Sequence, residues 1–284
     1  MRKLLLVFVV CAFLLAGLFT SAASAWTLGA LSQMNSTEEE YGKRSPMATV
    51  DGAKGLVRDM VIARSESWKG NASFKFYDSM AMRQMGLNRG EVDAILTPDF
   101  LGEYMLKNNP DYSLRGFILL KRPIDLSLGF LKEKAELCKR FDDALKTLTE
   151  NGMTSHLARY YISGPEAENP KPVSFEKFEG AETVNVLVTG DMPPVDYFDA
   201  DGTPAGYNTA LLAELGRQLR VNINLVASDS GARAAALKSG RVDVVFWFEI
   251  MPEGEEQFDK PEDVVVTRPY YGWNKVYLIG VKGK

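Results

Sequence analysis

The sequence contains very little cysteine and histidine. Among 284 residues there are two cysteines and one histidine. Cys11 lies in the apolar N-terminal stretch, which leaves Cys138 as the only cysteine after it and excludes an internal disulfide or a cysteine-based metal cluster there. His156 lies in a predicted helix without an accompanying Gly-x-Ser-x-Gly turn, so a histidine-dependent nucleophilic triad is not expected. The sequence thus predicts no catalytic residues, no metal and no cofactor.

A long basic tract is also missing. The chain has 33 basic and 37 acidic residues and a formal net charge of -4. Domains that bind nucleic acids carry clustered Lys and Arg, so no nucleic-acid partner is predicted. The mild acidity is typical of an exported protein, and the length and 46% hydrophobic content suffice for two modest cores.

The N-terminus has the pattern of a secretory signal. Arg2 and Lys3 precede an apolar stretch, Leu4–Leu18, and Ala23–Ala25 provides the small residues after which a signal peptidase cuts. We therefore predict that residues 1–25 are removed and that the protein is periplasmic or extracellular. An uncleaved anchor is the alternative, although the apolar stretch is short for a helix that crosses a bilayer.

An internal repeat organises the rest of the chain. The segment Leu87–Ile95 recurs 150 positions later as Leu237–Val245, with the pattern Leu-x-x-Gly-x-Val-Asp in both copies. A β-type run and a helical stretch precede each copy, and Gly supplies a left-handed helix stop. Each copy therefore predicts a βαβ unit, and the alternation of strands and helices favours two parallel sheets with a cleft between two lobes.

Strand and helix patterns extend over most of the chain. The predicted strands are Thr27–Ser32, Ser73–Tyr77, Val92–Thr97, Leu114–Leu120, Leu126–Leu131, Val184–Val188, Ile223–Ala227, Val242–Phe248 and Val276–Val281. The predicted helices cover Ser79–Asn88, two segments within Lys132–Ile162, Thr209–Leu219 and a segment ending at Lys238. A turn at Lys121–Pro123 separates the fourth and fifth strands, and the region rich in Pro, Gly and Glu at Gly164–Pro172 reads as a linker.

The C-terminal hundred residues resemble the first lobe of a bacterial extracellular solute-binding protein of the amino-acid-binding type. The segments that carry this resemblance are Val186–Val195, Gly206–Asn208, Leu237–Asp243 and Arg268–Tyr271. The N-terminal half resembles the remainder of the same kind of protein: Gly90–Tyr104 is similar to its second lobe, and Leu126–Lys132 with Ala144–Gly152 to its closing strand and helices. The resemblance implies an α/β fold with two Rossmann-like lobes, the periplasmic binding protein type 2 architecture.

The segments stand in a different order from that of the family. The predicted organisation is a signal peptide at 1–25, a second-lobe-like α/β domain at 26–122, a return strand and C-terminal helices of the first lobe at 123–163, a linker at 164–183 and a first-lobe-like α/β domain at 184–284. A circular permutation within one chain is the favoured explanation of this order, and a domain-swapped homodimer is the alternative. Closing a loop of about twenty residues costs little more than closing one of ten, so the permutation is physically permitted.

Several residues that the family uses to hold an α-amino acid are missing. The resemblance places the Arg for the solute carboxylate on Gly254 or Glu255, and the Asp for the ammonium group on Pro98, beside Asp99. Without the Arg, a carboxylate would lose about ten- to a hundredfold in affinity. The candidate solute-binding residues are Asp191, Met192, Tyr197, Trp247, Phe248, Glu249, Asn35, Ser36, Thr37, Thr97 and Asp99.

These candidates have simpler structural explanations as well. Trp247 and Phe248 also suit core packing at the end of a buried strand, and Asn35–Thr37 also suits plain helix capping. The acidic residues from Glu249 to Glu256 form either a solvated loop or a site for a cationic, amine-bearing solute.

The favoured function is capture of a small polar solute, amino-acid-like or amine-bearing, for a membrane ABC permease or a sensor. The alternatives are a degenerate scaffold that binds nothing, or a domain-swapped dimeric partner. A further alternative is an enzyme similar to cyclohexadienyl dehydratase, although no spaced acid and base pair indicates one.

Overall fold

The computed structural model describes residues 26–31, 72–163, 172–254, 257 and 259–283. The twelve strands are β1 Trp26–Leu31, β2 Ala72–Tyr77, β3 Ala94–Pro98, β4 Tyr112–Leu131, β5 Thr183–Val188, β6 Asp191–Met192, β7 Asp196–Phe198, β8 Pro204–Ala205, β9 Asn222–Ala227, β10 Val244–Ile250, β11 Val264–Val266 and β12 Tyr271–Val281. The α-helices are α1 Met80–Arg89, α2 Asp99–Asn108, α3 Ala135–Glu150, α4 Met153–Ala158, α5 Tyr207–Leu219 and α6 Arg233–Lys238.

Three sequence predictions fall outside these ranges. They are the signal peptide at 1–25, the helix start at Asn35–Thr37 and the first part, 164–171, of the linker at 164–183. Among the described residues, no helix combines the length and the apolarity that crossing a bilayer requires.

Strands of both repeat copies share one nine-stranded sheet, in the order β2-β1-β3-β12-β4-β10-β5-β9 with β11 against β4. Strands β1, β2 and β3 are parallel, as are β5, β9 and β10, whereas β4 and β12 run antiparallel to their neighbours. We call β1–β3 with α1 and α2 the N-terminal unit, and β5–β10 with α5 and α6 the C-terminal unit. The predicted α/β class is confirmed, but the prediction of two separate sheets is wrong.

The long strand β4 explains the single sheet. A turn was predicted at Lys121–Pro123, yet the chain stays extended through all 20 residues of β4. Residues 112–126 of β4 pair with β12, and residues 125–131 pair with β10 and β11. Pro123 has no N–H group to donate, so the β12 ladder shifts register between Trp273 and Lys275 while the strand continues.

The two copies of the repeat have the same local structure. Gly90 and Gly240 both adopt left-handed backbone, with φ of 72° and 71°, at the ends of α1 and α6. Asp93 accepts a hydrogen bond from the Thr27 backbone N–H at 2.8 Å, and Asp243 accepts one from Asn185 at 2.7 Å. Each aspartate thus ties the start of its last strand to the neighbouring parallel strand, so the repeat in sequence is a repeat in structure.

Helix α3 joins the middle of the chain to the C-terminal unit. Its apolar face buries Cys138, Phe141 and Leu145, spaced three and four residues apart as an amphipathic helix requires, and it packs on α5. Phe141 also contacts the ring of Phe130 on β4, with ring centres 5.4 Å apart. The second half of β4 and the helices after it therefore complete the core around the C-terminal unit.

The pairing register places the carboxyl ends of the two parallel sets toward each other. Along β12, Val276 pairs with Pro98 at the end of β3. Gly272 pairs with Asp125 of β4, whose other neighbour is Ile250 at the end of β10. Ligands of open α/β sheets bind outside the carboxyl ends of the strands, so the candidate site lies where the two units meet.

Candidate functional site

A carboxylate of the C-terminal unit caps a helix of the N-terminal unit. Asp191, which follows β5, accepts a hydrogen bond from the backbone N–H of Met80, the first residue of α1, at 2.9 Å. The same oxygen, Oδ2, accepts from the Ser230 hydroxyl at 3.2 Å. The first N–H groups of a helix carry partial positive charge and bind anions. The Asp191 side chain therefore occupies an anion-binding position, and its buried Oδ1 has no hydrogen-bond partner.

Backbone atoms also link the two units at this point. The N–H of Gly231 donates to the carbonyl of Asp78 at 3.2 Å, and an added Cβ at Gly231 would lie 3.0 Å from that oxygen. Tyr104 and Tyr197 face each other from opposite units, with ring centres 6.4 Å apart. The two units are thus in direct contact around Asp191.

Arg83 projects from α1 and is almost fully buried, with 1% of its surface exposed. Its terminal nitrogens donate to the Leu96 carbonyl and, over 3.4 Å, to the Thr97 hydroxyl, while Nε has no partner. Burial lowers the pKa of Arg83 to about 10, and the negative charges of Asp191 and Glu249 oppose this shift. Arg83 is therefore a buried cation without a directly bonded carboxylate, close to two carboxylates of the other unit.

Glu249 lies near the end of β10 and is 2% exposed. Its Oε2 atom is buried and has no hydrogen-bond partner. Burial and the charge of Asp259 raise the pKa of Glu249, and Arg233 and Arg83 lower it, so that the pKa lies at about 8. A neutral buried carboxyl group beside a buried cation can ionise when a second cation arrives.

Arg233, in contrast, has a full set of partners. Its Nη2 and Nη1 atoms donate to the two oxygens of Asp259 at 2.6 and 3.1 Å, and Nε donates to the Ser230 carbonyl at 2.7 Å. The guanidinium group also lies 3.6 Å from the centre of the Trp247 ring. Asp259 accepts the backbone N–H of Glu249 at 2.7 Å as well. This buried ion pair positions the end of β10, and every guanidinium nitrogen of Arg233 has a hydrogen-bond partner.

Asp196 fixes the turn that leads to Asp191. It is fully buried and accepts hydrogen bonds from the Thr189 N–H, the Thr189 hydroxyl and the Gly190 N–H, at 2.9, 3.2 and 3.2 Å. Burial raises its pKa to about 6 against the effect of these donors. Asp196 is thus a positioning residue for the Thr189–Asp191 segment.

The polar candidate residues predicted from the sequence lie in different surroundings. Asp191, Glu249 and Thr97 belong to the buried polar cluster, in which Thr97 contacts Arg83. Asp99 accepts the N–H of Phe100 at 2.8 Å within α2, and burial raises its pKa. Tyr197 is half-buried beside Tyr104.

The apolar candidates are packed in the interior. Met192, Trp247 and Phe248 are each at most 1% exposed, and the Trp247 indole N–H donates to the Thr189 hydroxyl at 3.4 Å. Their burial agrees with the core-packing explanation. Asn35, Ser36 and Thr37 lie outside the described residues, as do Glu255 and Glu256. Among the residues that the structure describes, no three His, Cys, Asp or Glu side chains are grouped to hold a metal ion.

Sequence reasoning missed Arg83 and Arg233, although the repeat carries the signal. The two arginines lie 150 positions apart, at the offset of Leu87 and Leu237. The same offset relates Asp99 to Glu249. Extending the repeat by a few residues in both directions would have singled out these two pairs.

The sequence of the C-terminal unit matches a known family. Residues 184–280 match the model for bacterial extracellular solute-binding proteins, family 3. These residues are about a third of the chain, and they include β5, the Asp191 turn, β10 and most of β12.

Several solved structures are similar to large parts of the chain. They include a binding protein from A. tumefaciens R10 in complex with agropinic acid (11% identity, 75% of this chain and 55% of that chain, TM-score 0.39). Others are a ligand-binding component of an ABC-type import system from Staphylococcus aureus (12%, 91% and 66%, 0.41) and a methionine-binding lipoprotein from Bacillus subtilis (9%, 93% and 85%, 0.40). The chain spans about half to two thirds of the length of the first two structures. Comparison with curated proteins gives no match.

TM-scores this low fix no arrangement of the two units. The family match and the two facing α/β units agree with the predicted type 2 periplasmic binding protein architecture. The permuted order of the segments remains a prediction.

Proposed function

We propose that the protein captures a small, polar, amine-bearing solute between its two units and presents it to a membrane ABC permease or a sensor. The observation that carries this proposal is the buried cluster of Arg83, Asp191 and Glu249 at the facing strand ends. Each of the three has a buried polar atom without a partner. A buried polar group without a hydrogen bond costs about 1 to 3 kcal/mol, so a solute that bonded these atoms would be held firmly.

The permease or sensor follows from the family of residues 184–280. Extracellular solute-binding proteins act by closing over a solute, and closure changes the relative position of two units that a partner can contact. Export by the predicted signal at 1–25 would place the protein on the side of the membrane where such a partner collects its solute.

Thermal unfolding with a panel of amino acids, their amides, amines and short peptides tests the proposal. A bound solute at 100 times its Kd raises the free energy of unfolding by about 2.7 kcal/mol. We expect Glu249→Gln to abolish this stabilisation and to fold normally, because the glutamine resembles the neutral acid. The matched control is Glu253→Gln, since Glu253 is exposed just beyond β10.

Two results would count against solute capture. If no compound stabilises the native sequence, the degenerate scaffold becomes the better explanation. If a compound stabilises the protein and Glu249→Gln equally, binding takes place elsewhere.

We also propose that one chain completes both units, so that the protein is a permuted monomer. In support, β12 near the C-terminus pairs with β3 of the N-terminal unit and with β4 of the same chain. Light scattering after size-exclusion chromatography tests this, because a domain-swapped homodimer would have twice the mass.

A further inference from the structure

Two features of the buried cluster bear on the kind of solute that fits. The first is that the N-terminus of α1 already holds an anion, the side chain of Asp191, through the Met80 N–H. A solute carboxylate would have to displace Asp191 or leave its own charge without this partner. Burying an unpaired carboxylate is costly, so Asp191 acts against solutes that carry one.

The second feature is the balance of charge. Arg233 and Asp259 neutralise each other as an ion pair, and Asp196 is held by the amides of Thr189 and Gly190. The remaining charges are one cation, Arg83, and two acids, Asp191 and Glu249. When both acids ionise the cluster has a formal charge of -1, which one protonated amine neutralises.

Unpartnered atoms of two buried side chains point to a ligand independently of the helix end. The Oε2 atom of Glu249 and the Nε atom of Arg83 are buried without hydrogen bonds, and both residues are at most 2% exposed. A protonated amine can donate to Glu249. The Nε–H of Arg83 can donate to a neutral acceptor such as an amide or hydroxyl oxygen.

We propose that the site selects protonated amines whose other polar groups are uncharged, and that Asp191 is the specificity-determining residue that excludes a carboxylate. This inference rests on the proposed function, because it names the solute class of the same site. Glu249 loses its proton when the solute binds, and the solute's ammonium group balances the resulting negative charge. Asp191 occupies the position at the N-terminus of α1 that a solute carboxylate would otherwise take.

Matched compounds test the inference. Calorimetry or thermal unfolding would compare lysine, lysinamide and cadaverine, and likewise arginine, argininamide and agmatine. We expect the amide or the decarboxylated amine of each set to bind about ten- to a hundredfold more tightly than the acid, the range set by one charge-assisted contact.

Asp191→Asn is the informative variant. It keeps an oxygen that accepts from Met80 and Ser230 but removes the charge, so the preference for amides over acids should fall by about tenfold or more. Asp229→Asn is the matched control, because Asp229 is exposed on the neighbouring loop and the substitution removes the same charge. The preference of this variant for amides over acids should equal that of the native sequence. Circular dichroism would show that both variants fold.

The pH dependence of amine binding provides a second readout. The groups whose charges act on Glu249 are Asp259, Arg233 and Arg83, and burial with Asp259 keeps its pKa near 8. Amine affinity should therefore rise as the pH increases toward about 8, because the bound amine requires an ionised Glu249. Glu249→Gln should remove this rise.

The outcomes separate this inference from the proposed function. Tighter binding of the acids than of their amides would overturn the inference and leave solute capture standing. An unchanged preference in Asp191→Asn would likewise overturn the role of Asp191. No binding by any compound, in the native sequence or the variant, would overturn both.

Discussion

Arg83 and Arg233 occupy equivalent positions in the two copies of the repeat, and both are at most 2% exposed. Their partners differ. Arg233 forms a bidentate ion pair with Asp259 and stacks on Trp247, whereas Arg83 bonds a carbonyl, a hydroxyl and a sulfur atom and keeps an unpartnered Nε. The C-terminal unit therefore satisfies its buried arginine internally, and the N-terminal unit does not.

This difference shows how one repeated unit serves two purposes. A buried ion pair with complete hydrogen bonding fixes local geometry, and breaking one side of it is costly. A buried cation without a carboxylate keeps a charge available to groups across the site, here Asp191 and Glu249. Two equally buried arginines can therefore have different functions, which depend on their hydrogen-bond and ion-pair partners.

The largest expected effect is the loss of the Arg233 ion pair. Arg233→Met should reduce the free energy of unfolding by about 3 to 5 kcal/mol, because Asp259 would remain buried without its counter-charge. Urea denaturation measures this loss. Removing the charge of Asp259 as well, by Asp259→Asn, should restore part of the stability, and a loss below about 1 kcal/mol in the single variant would contradict the ion pair's structural role.

Substitution of the equivalent arginine should cost less. Arg83→Met should reduce the free energy of unfolding by about 1.5 to 3 kcal/mol, because the Leu96 carbonyl loses a charged donor, and removal of an incompletely paired cation offsets part of that loss. The same urea experiment gives the comparison. A loss as large as that of Arg233→Met would show that the two arginines have the same role.

Ionisation of Glu249 should make the solute-free protein less stable at higher pH. Its pKa lies at 4.5 in the unfolded chain and near 8 in the fold, so the folded state keeps a proton that the unfolded state releases. Stability is fully present below about 4.5 and falls as the pH rises to about 8, with a slope of up to about 1.4 kcal/mol per pH unit.

Urea titrations at several pH values between about 6 and 8 isolate this effect. Asp196 contributes in the same direction only up to about 6, where its own raised pKa lies. Glu249→Gln should flatten the profile above that pH, and a slope that persisted in the variant would assign the effect to another group.

The smallest expected effects concern the two glycines that end α1 and α6. Gly90→Ala and Gly240→Ala should each cost about 1 kcal/mol, because alanine is strained at φ near +70°. An added Cβ at Gly240 meets nothing within 4 Å, so its cost is that of the backbone alone. Thermal unfolding measures both losses. A Gly240→Ala variant as stable as the native sequence would argue against a rigid backbone conformation in the repeat.

The sequence was informative where structure depends on neighbouring residues. The repeat predicted both helix stops at Gly90 and Gly240, and the apolar runs predicted the parallel strands next to them. The turn at Lys121–Pro123 was wrong, because a Pro that breaks one ladder bond does not end a strand whose neighbours continue. The order of the strands in the sheet depends on the pairing between β4 and β12, and this pairing joins the strands into a single sheet. No local sequence pattern predicts a pairing between segments so far apart in the chain.

The candidate site was only partly predictable. Asp191 was found because it lies in a segment that resembles the family, and Glu249 because it belongs to the acidic residues near the position of the missing Arg. Arg83 was missed because the resemblance placed the expected arginine in the C-terminal unit, and its role depends on the charges of Asp191 and Glu249, 108 and 166 positions away. The burial of Trp247 and Phe248 follows from a strand with neighbours on both sides, β4 and β5.

The register shift between β4 and β12 has a mechanical consequence. Within the described residues, β12 pairs with β3 of the N-terminal unit, β4 pairs with β10 of the C-terminal unit, and β12 and β4 pair with each other. The ladder between them is interrupted beside Pro123 and again between Leu278 and Ile279. Bending at the first interruption breaks fewer backbone hydrogen bonds than bending within the regular ladder, so a hinge there would admit a solute once Asp191 releases Met80.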